Sequence, residues 1–267
     1  SVFDVPFFSG TMNEALEKIA TCVQSKSAHH IAFINAHCLN IAYKNKEYRK
    51  KKKKCTVVFA DGIGAKIGAR MLGYKVEENV NGTDMFPLLA QKPYRIYLFG
   101  GATGVAETAL KNAKTLNGKA EFVGCADGFF KETSEEQIFA ELCELKVDIL
   151  LVALGVPKQE EWIKCNLDKL PGCVAIGVGG LLDFVSGRIP RAPLWMRKCN
   201  IEWLYFFTCI FKNFLCIVNC TIACSFGANK RTTVGEALTC QNCVIKVVAD
   251  SLVLTKEVSD FASTNVF

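Results

Sequence analysis

The sequence predicts an α/β fold, a parallel sheet with helices on both faces. Two observations predict it. Apolar runs of strand length alternate with segments whose apolar residues recur at helical spacing. Most of those runs also end in a turn rich in Gly, Asn or Asp, the way strands of such a sheet present ligand-binding loops at their carboxyl ends. With 267 residues, 50% of them hydrophobic, the chain can fill a large core, which excludes disorder over most of its length.

The elements follow in order. Met12, Leu16, Ile19, Ala20 and Val23 share one face of a helix over residues 12–28. HIAFIN (30–35) reads as a strand, and the segment from there to Tyr48 as a helix. Arg49 to Lys54 is an unbroken basic run, either a solvated helix end or a contact for anionic lipid headgroups. CTVVFADG (55–62) is a strand and turn, followed by a helix through Leu72. YRIYLFGGATG (94–104) repeats that pattern, and AEFVGCADGFF (120–130) supplies another strand and turn before a helix at 134–145. VDILLVALG (147–155) and VAIGVGG (174–180) are further strands, with a helix at 158–168 between them. From about Cys199 the character changes. Residues 203–226 are apolar and aromatic, but Lys212, Asn213 and Asn219 interrupt them, so an interfacial or packed helix is expected rather than a membrane span.

The net charge of +6 is mild; it favours anionic partners, and no nucleic-acid partner is expected. There are 14 cysteines, yet the opening SVFDVPFFSG has neither a basic start nor a continuous apolar stretch, so reduced thiols are expected rather than a disulfide framework. Cys240-x-x-Cys243 is half of a zinc pattern without a second pair, and His29, His30 and His37 lie far upstream, so no metal site is expected.

The motifs that carry chemistry sit at the ends of the strands. Asp61-Gly-Ile-Gly-Ala-Lys-Ile-Gly68 and Gly101-Ala-Thr-Gly104 are Gly-rich turns before helices, a weak dinucleotide signal, with Asp127 a candidate ribose ligand. Asp61 lies just before its turn, placed to enter a cleft or to cap a helix. Asn81-Gly-Thr-Asp84 is a good capping sequence, with Gly82, Thr83 and Asp84 at its tip. Gly155-Val-Pro-Lys-Gln-Glu160 is more specific. A helix N-terminus beside Lys158 makes an anion site, and Gln159 can hydrogen-bond a sugar or base. Gly179-Gly180 leads into a basic segment with Arg188, Arg191 and Arg197. No D-x-D triplet occurs, so the common metal-diphosphate motif of sugar-nucleotide enzymes is missing.

Together these blocks resemble the WecG/TagA/CpsF glycosyltransferases, most closely the TagA branch. The matching blocks are INAHCLNIA (34–42), ADGIGAKIGARMLG (60–73), NGTDMFPLL (81–89), YRIYLFGGATG (94–104), VDILLVALGVPKQEEWI (147–163) and VGGLLDFVSGRIPRAPLWMRKCNIEWLY (178–205). The resemblance implies a Rossmann-like transferase domain over residues 1–198 with a C-terminal appendage at 199–267. It implies an inverting transfer of N-acetylmannosamine, or another N-acetylhexosamine-type sugar, from a UDP donor. The acceptor it implies is a polyprenyl-diphosphate-linked N-acetylglucosamine, met at the cytoplasmic face of the membrane by a peripheral enzyme without cofactor. Asp61 matches the family's proposed catalytic base; an aspartate ordinarily titrates near about 3.9, so it is ionised at neutral pH without tuning. Asn35 and Gln159 match positions that line the family's pocket. Gly100, Gly101, Gly155 and Gly180 let a backbone approach the nucleotide. Gly62, Gly82, Thr83, Asp84, Asp127, Pro157, Lys158, Glu160, Arg188 and Arg191 complete the candidate ligand contacts. Three positions depart from the family pattern: Phe33 where Thr is common, Asn79 where Arg is usual, and Phe206 where Arg is expected. A nicotinamide-dependent oxidoreductase and an inactive relative are the alternative expectations.

Overall fold

A computed structural model of the chain describes residues 5–71, 73–128, 135–170, 172–198, 202 and 205. The expected interfacial helix at 203–226, the pair Cys240 and Cys243, and Phe206 lie outside the described residues. Two compact units divide the chain: Ser1–Arg191 with Phe267, and Ala192–Val266. In the second unit a short helix, Leu194–Lys198, exposes Leu194 and Trp195. Among the described residues no helix is long and apolar enough to cross a membrane.

The first unit is built on one six-stranded sheet. Its strands are β1 (His29–Ile34), β2 (Val57–Ala60), β3 (Arg95–Gly100), β4 (Glu121–Ala126), β5 (Ile149–Ala153) and β6 (Val174–Gly177), in the spatial order β2-β1-β6-β5-β3-β4. Every pairing is parallel, as the strand–helix alternation predicts. The four inner strands carry near-continuous apolar sequence because both their faces are covered. The helices are α1 (Met12–Gln24), α2 (Ala36–Lys44), α3 (Lys46–Lys53), α4 (Gly62–Met71), α5 (Gly82–Leu89), α6 (Val105–Ala113), α7 (Glu135–Glu144), α8 (Lys158–Asn166) and α9 (Leu181–Val185).

Alternation along each strand sorts the core into layers. Ile31, Phe33, Phe59, Ile96, Leu98, Ile149, Leu151 and Ile176 pack with α1, α5, α6 and α9 on one face. On the other face Ile34, Val58 and Ala60 pack with α2, α3 and α4, while Tyr97, Phe99, Leu150 and Val152 pack with α7 and α8. The Rossmann-like arrangement with helices on both faces is therefore present.

Three features differ from the sequence expectation, the first being that the helix expected over residues 12–28 ends at Gln24. The helix drawn from 36 to Tyr48 is two helices, because Asn45 caps the second: its Oδ1 accepts from the backbone N–H groups of Glu47 (2.9 Å) and Tyr48 (3.1 Å). The basic run is also not simply a solvated helix end. Arg49 donates to the last carbonyls of α2, on Ala42 and Tyr43. Lys51 pairs with Glu161, and Lys52 is fully buried against Glu160. Half of the run docks α3 onto its neighbours.

His30, at the start of β1, is buried beside the Cys55 sulfur. Burial, assisted by the charge of Lys52, lowers its pKa to about 4. The folded state thus keeps this imidazole neutral where the unfolded chain takes a proton, near about 6.5. Its contribution is complete above that value and is lost as pH falls from about 6.5 towards 4, by about 3 kcal/mol in all. Urea unfolding of the wild type and His30→Gln across that range should show their stability difference shrinking by this amount. A difference independent of pH would show that His30 is not the titrating group.

Candidate functional site

All strands are parallel, so their carboxyl ends share one edge, and every sequence-nominated tip lies along it. From one side to the other these are Asp61 and Gly62 after β2, Asn35 after β1, and Gly179 and Gly180 after β6. Gly155 after β5, Gly100 and Gly101 at β3, and Asp127 after β4 complete the edge. At about 4.8 Å per strand, the tips of β2 and β4 stand about 24 Å apart. Asp61 and Asp127 therefore do not meet at one reacting atom; the edge has two ends.

The Asp61 end is assembled from three segments. The Asp61 backbone N–H donates to the Ile34 carbonyl (2.9 Å), setting it beside Asn35. The side chain of Asn35 caps α2 by accepting from the Cys38 N–H (2.9 Å). The segment before α5 closes the group: the Val80 N–H donates to the Ala60 carbonyl (3.1 Å), and Asn79 Oδ1 accepts from the Gly62 N–H (2.6 Å). Asn79, at the position where the resemblance led us to expect Arg, thus serves the first turn of α4. Asn81 Oδ1 caps α5 by accepting from the Asp84 N–H (2.7 Å) and from Thr83 Oγ1 (2.9 Å). Phe33, the other departure, turns its ring into the core. It lies 5.7 Å from the Phe59 ring, and a side chain on Gly82 would meet it.

The glycine end lies at a topological switch point. β3 connects outward to β4 while β5 connects the opposite way to β6, so the chain diverges between adjacent strands and leaves a crevice. Gly100 is required there. Its φ is +117°, and a Cβ would stand 2.4 Å from the Ala153 carbonyl oxygen. Asp127 Oδ2 accepts from the Gly104 N–H (3.3 Å), and its Oδ1 is buried without a hydrogen-bond partner among the described residues. The Gly62 turn, by contrast, sits on β2 at the sheet edge, away from the switch point, and a Cβ on Gly64 would press on Ala36 of α2 at 3.0 Å. Gly64 thus serves close helix packing, and the turn lies away from the crevice between β3 and β5.

Between the two ends lie α8 and the β6 turn. Pro157 starts α8 without a side-chain cap, and Lys158 is exposed. Gln159 and Glu160 face inward. Gln159 Oε1 accepts from the Gly179 N–H (3.0 Å) and its Nε2 donates to Glu160 Oε1 (3.1 Å). Glu160 has no solvent exposure and pairs with Lys52 at 2.9 Å. Burial, the largest single influence, opposes the Lys52 charge, but the Glu160 carboxylate and the neighbouring Cys38 and Cys55 sulfurs together hold the ammonium above its ordinary pKa. Beyond the turn, Arg188 pairs with Asp183 (3.3 Å), and Arg191 pairs with Asp84 (2.8 Å) while lying over the Phe184 ring. The second contact ties the basic segment to the first turn of α5. Sequence reasoning missed Lys52. Its spacing from Tyr48, four residues along α3, was the signal: both lie on the buried stripe.

Comparison with known proteins fits this geometry. The profile of the "Glycosyl transferase WecG/TagA/CpsF family" matches residues 1–210. The chain is 25% identical over 210 residues to an N-acetylglucosaminyldiphosphoundecaprenol N-acetyl-beta-D-mannosaminyltransferase of Bacillus subtilis, covering 77% of this chain and 81% of that protein. A protein of the same name from Staphylococcus aureus is 26% identical, covering 76% and 82%. One from Bacillus spizizenii is 29% identical over 168 residues, covering 61% and 65%. The matched span takes in both ends of the strand edge, and this chain belongs to the WecG/TagA/CpsF family of glycosyl transferases.

Proposed function

We propose that this chain transfers N-acetylmannosamine, with inversion, from its UDP derivative to a lipid-diphosphate-linked N-acetylglucosamine, in the synthesis of wall teichoic acid or a related surface polysaccharide. The observation that carries it is the two-ended edge in a member of this family, one end bearing a carboxylate and the other a glycine crevice. The donor lies along that edge. Its nucleoside sits at Gly100, Gly101 and Asp127, its diphosphate by Gly155, Pro157, Lys158 and Gly180, and its sugar towards Asn35 and Asp61.

Asp61 takes the proton from the acceptor hydroxyl as that oxygen attacks the anomeric carbon. The bond from that carbon to the diphosphate oxygen breaks, and UDP leaves with the electron pair. The α8 N-terminus, Lys158 and the guanidinium groups of Arg188 and Arg191 meet its negative charge. Gly62, Gly82, Thr83 and Asp84 shape the acceptor side. Gln159 and Glu160, which face inward, hold the site rather than bind as free arms.

Residues 1–198 form the transferase domain in this reading. The apolar tail from 199 attaches it to the cytoplasmic face of the membrane as a peripheral protein. Lys53 and Lys54 end just before β2 begins, at the sheet edge opposite Asp61, so the tail rather than the basic run carries that contact. One assay tests the whole proposal: liposomes holding the lipid-linked acceptor, the full chain, and UDP-N-acetylmannosamine against other UDP-sugars and NADH. Product from UDP-N-acetylmannosamine with protein floating on the liposomes is the expected result. Preference for another donor would replace the sugar assignment, and a protein that stays at the bottom of the gradient would remove the membrane one.

A further inference from the structure

Lys52 stands among six consecutive basic residues, yet its side chain is wholly buried. Its Nζ donates to the Phe33 carbonyl of β1 (2.7 Å) and to Glu160 Oε1 of α8 (2.9 Å). Glu160 Oε1 also accepts from Gln159 Nε2, and Gln159 Oε1 accepts from the Gly179 N–H. Glu160 Oε2 is buried without a hydrogen-bond partner among the described residues, so one oxygen bears the whole network.

We infer that Lys52 and Glu160 are a positioning pair: they fix the side-chain amide of Gln159 in one orientation and, through it, hold the Gly179–Gly180 turn at the centre of the ligand edge. The geometry stands by itself; the consequence for donor binding rests on the function proposed above.

The two ends of a glutamine amide have nearly the same shape and opposite chemistry. Turned over, this one would set its NH2 against the Gly179 N–H and its carbonyl oxygen against the Glu160 carboxylate, and both contacts are repulsive. An ionised carboxylate accepts only, so it selects the observed orientation. The Lys52 ammonium lies against the Glu160 carboxylate at 2.9 Å, with both side chains out of contact with solvent. Gln159 is 2% exposed, too little for water to replace either contact. Gly177 leaves the room, since a Cβ there would stand 3.0 Å from Gln159 Nε2. The turn needs such an anchor: Gly179 has φ +55° and a Cβ there would meet nothing within 4 Å, so its own packing restrains it little. A buried ion pair is often replaceable by apolar residues with little loss of stability, which makes orientation the more specific use of this one.

Four variants test the inference: the paired Lys52→Met/Glu160→Met, Gln159→Ala, the triple combination, and Glu160→Gln, which keeps volume but removes the charge and turns one acceptor oxygen into a donor NH2. Amide exchange at Gly179 is read by NMR, and UDP affinity by calorimetry. The paired variant and Gln159→Ala should each speed Gly179 exchange at least about tenfold and weaken UDP binding about tenfold. The triple variant should match Gln159→Ala within about twofold, because both changes act through one side chain. Glu160→Gln should give the same Gly179 result should the paired variant fail to fold. Unchanged Gly179 exchange in any folded charge-removing variant, or losses that multiply in the triple, would overturn the inference. A wild type that binds no UDP would instead sink the donor assignment, while Gly179 exchange still decides the pair.

Discussion

Asp61→Asn should lower sugar transfer by about a thousandfold while UDP binding stays within about twofold of the wild type. The substitution keeps the shape of the side chain while removing its charge and its ability to take a proton. Asp61 lies beyond β2, about 14 Å along the edge from the β5 tip, counting three strand spacings. In the function proposed above, a residue so placed meets the acceptor and the sugar rather than the nucleotide. The loss should therefore appear in kcat, with the KM for donor nearly unchanged. Steady-state kinetics with the lipid-linked acceptor, beside UDP calorimetry, make the measurement. Retained turnover would sink the base assignment. A large loss of UDP affinity would move Asp61 from proton transfer to donor binding.

Lys52→Met alone should destabilise the fold by about 3–5 kcal/mol, because it leaves the Glu160 carboxylate buried without its countercharge. Glu160→Met added to it should restore most of that loss, since two apolar side chains can fill the same space. Urea denaturation of the three proteins gives both numbers. A loss below about 1 kcal/mol in the single variant would mean that Glu160 is neutral or reaches water.

Much of the architecture is legible in the sequence. Six apolar runs alternating with helical segments fix a parallel sheet, and a parallel sheet places all its carboxyl tips on one edge. Asn45 shows the kind of boundary that was missed. Its neighbours fit a helix on either side, and only the side-chain cap makes the break. The Gly-rich turn after Asp61 shows the kind of motif that misleads. Its spacing suits a dinucleotide, but strand order puts it on the sheet edge, and the divergence between β3 and β5 makes the crevice elsewhere.

The period of each element, the nature of each strand tip and the family are written in the order of residues alone. These are local properties, because side-chain spacing repeats every two residues in a strand and every 3.6 in a helix. Which tips are neighbours, that Phe33 joins the core, that Asn79 serves Gly62, and that one lysine of a basic run is buried all follow from how the chain packs. Lys52 and Glu160 are 108 residues apart in the chain. Nothing local records such a pairing; it exists only because strand order brings α3 and α8 to the same face of the sheet.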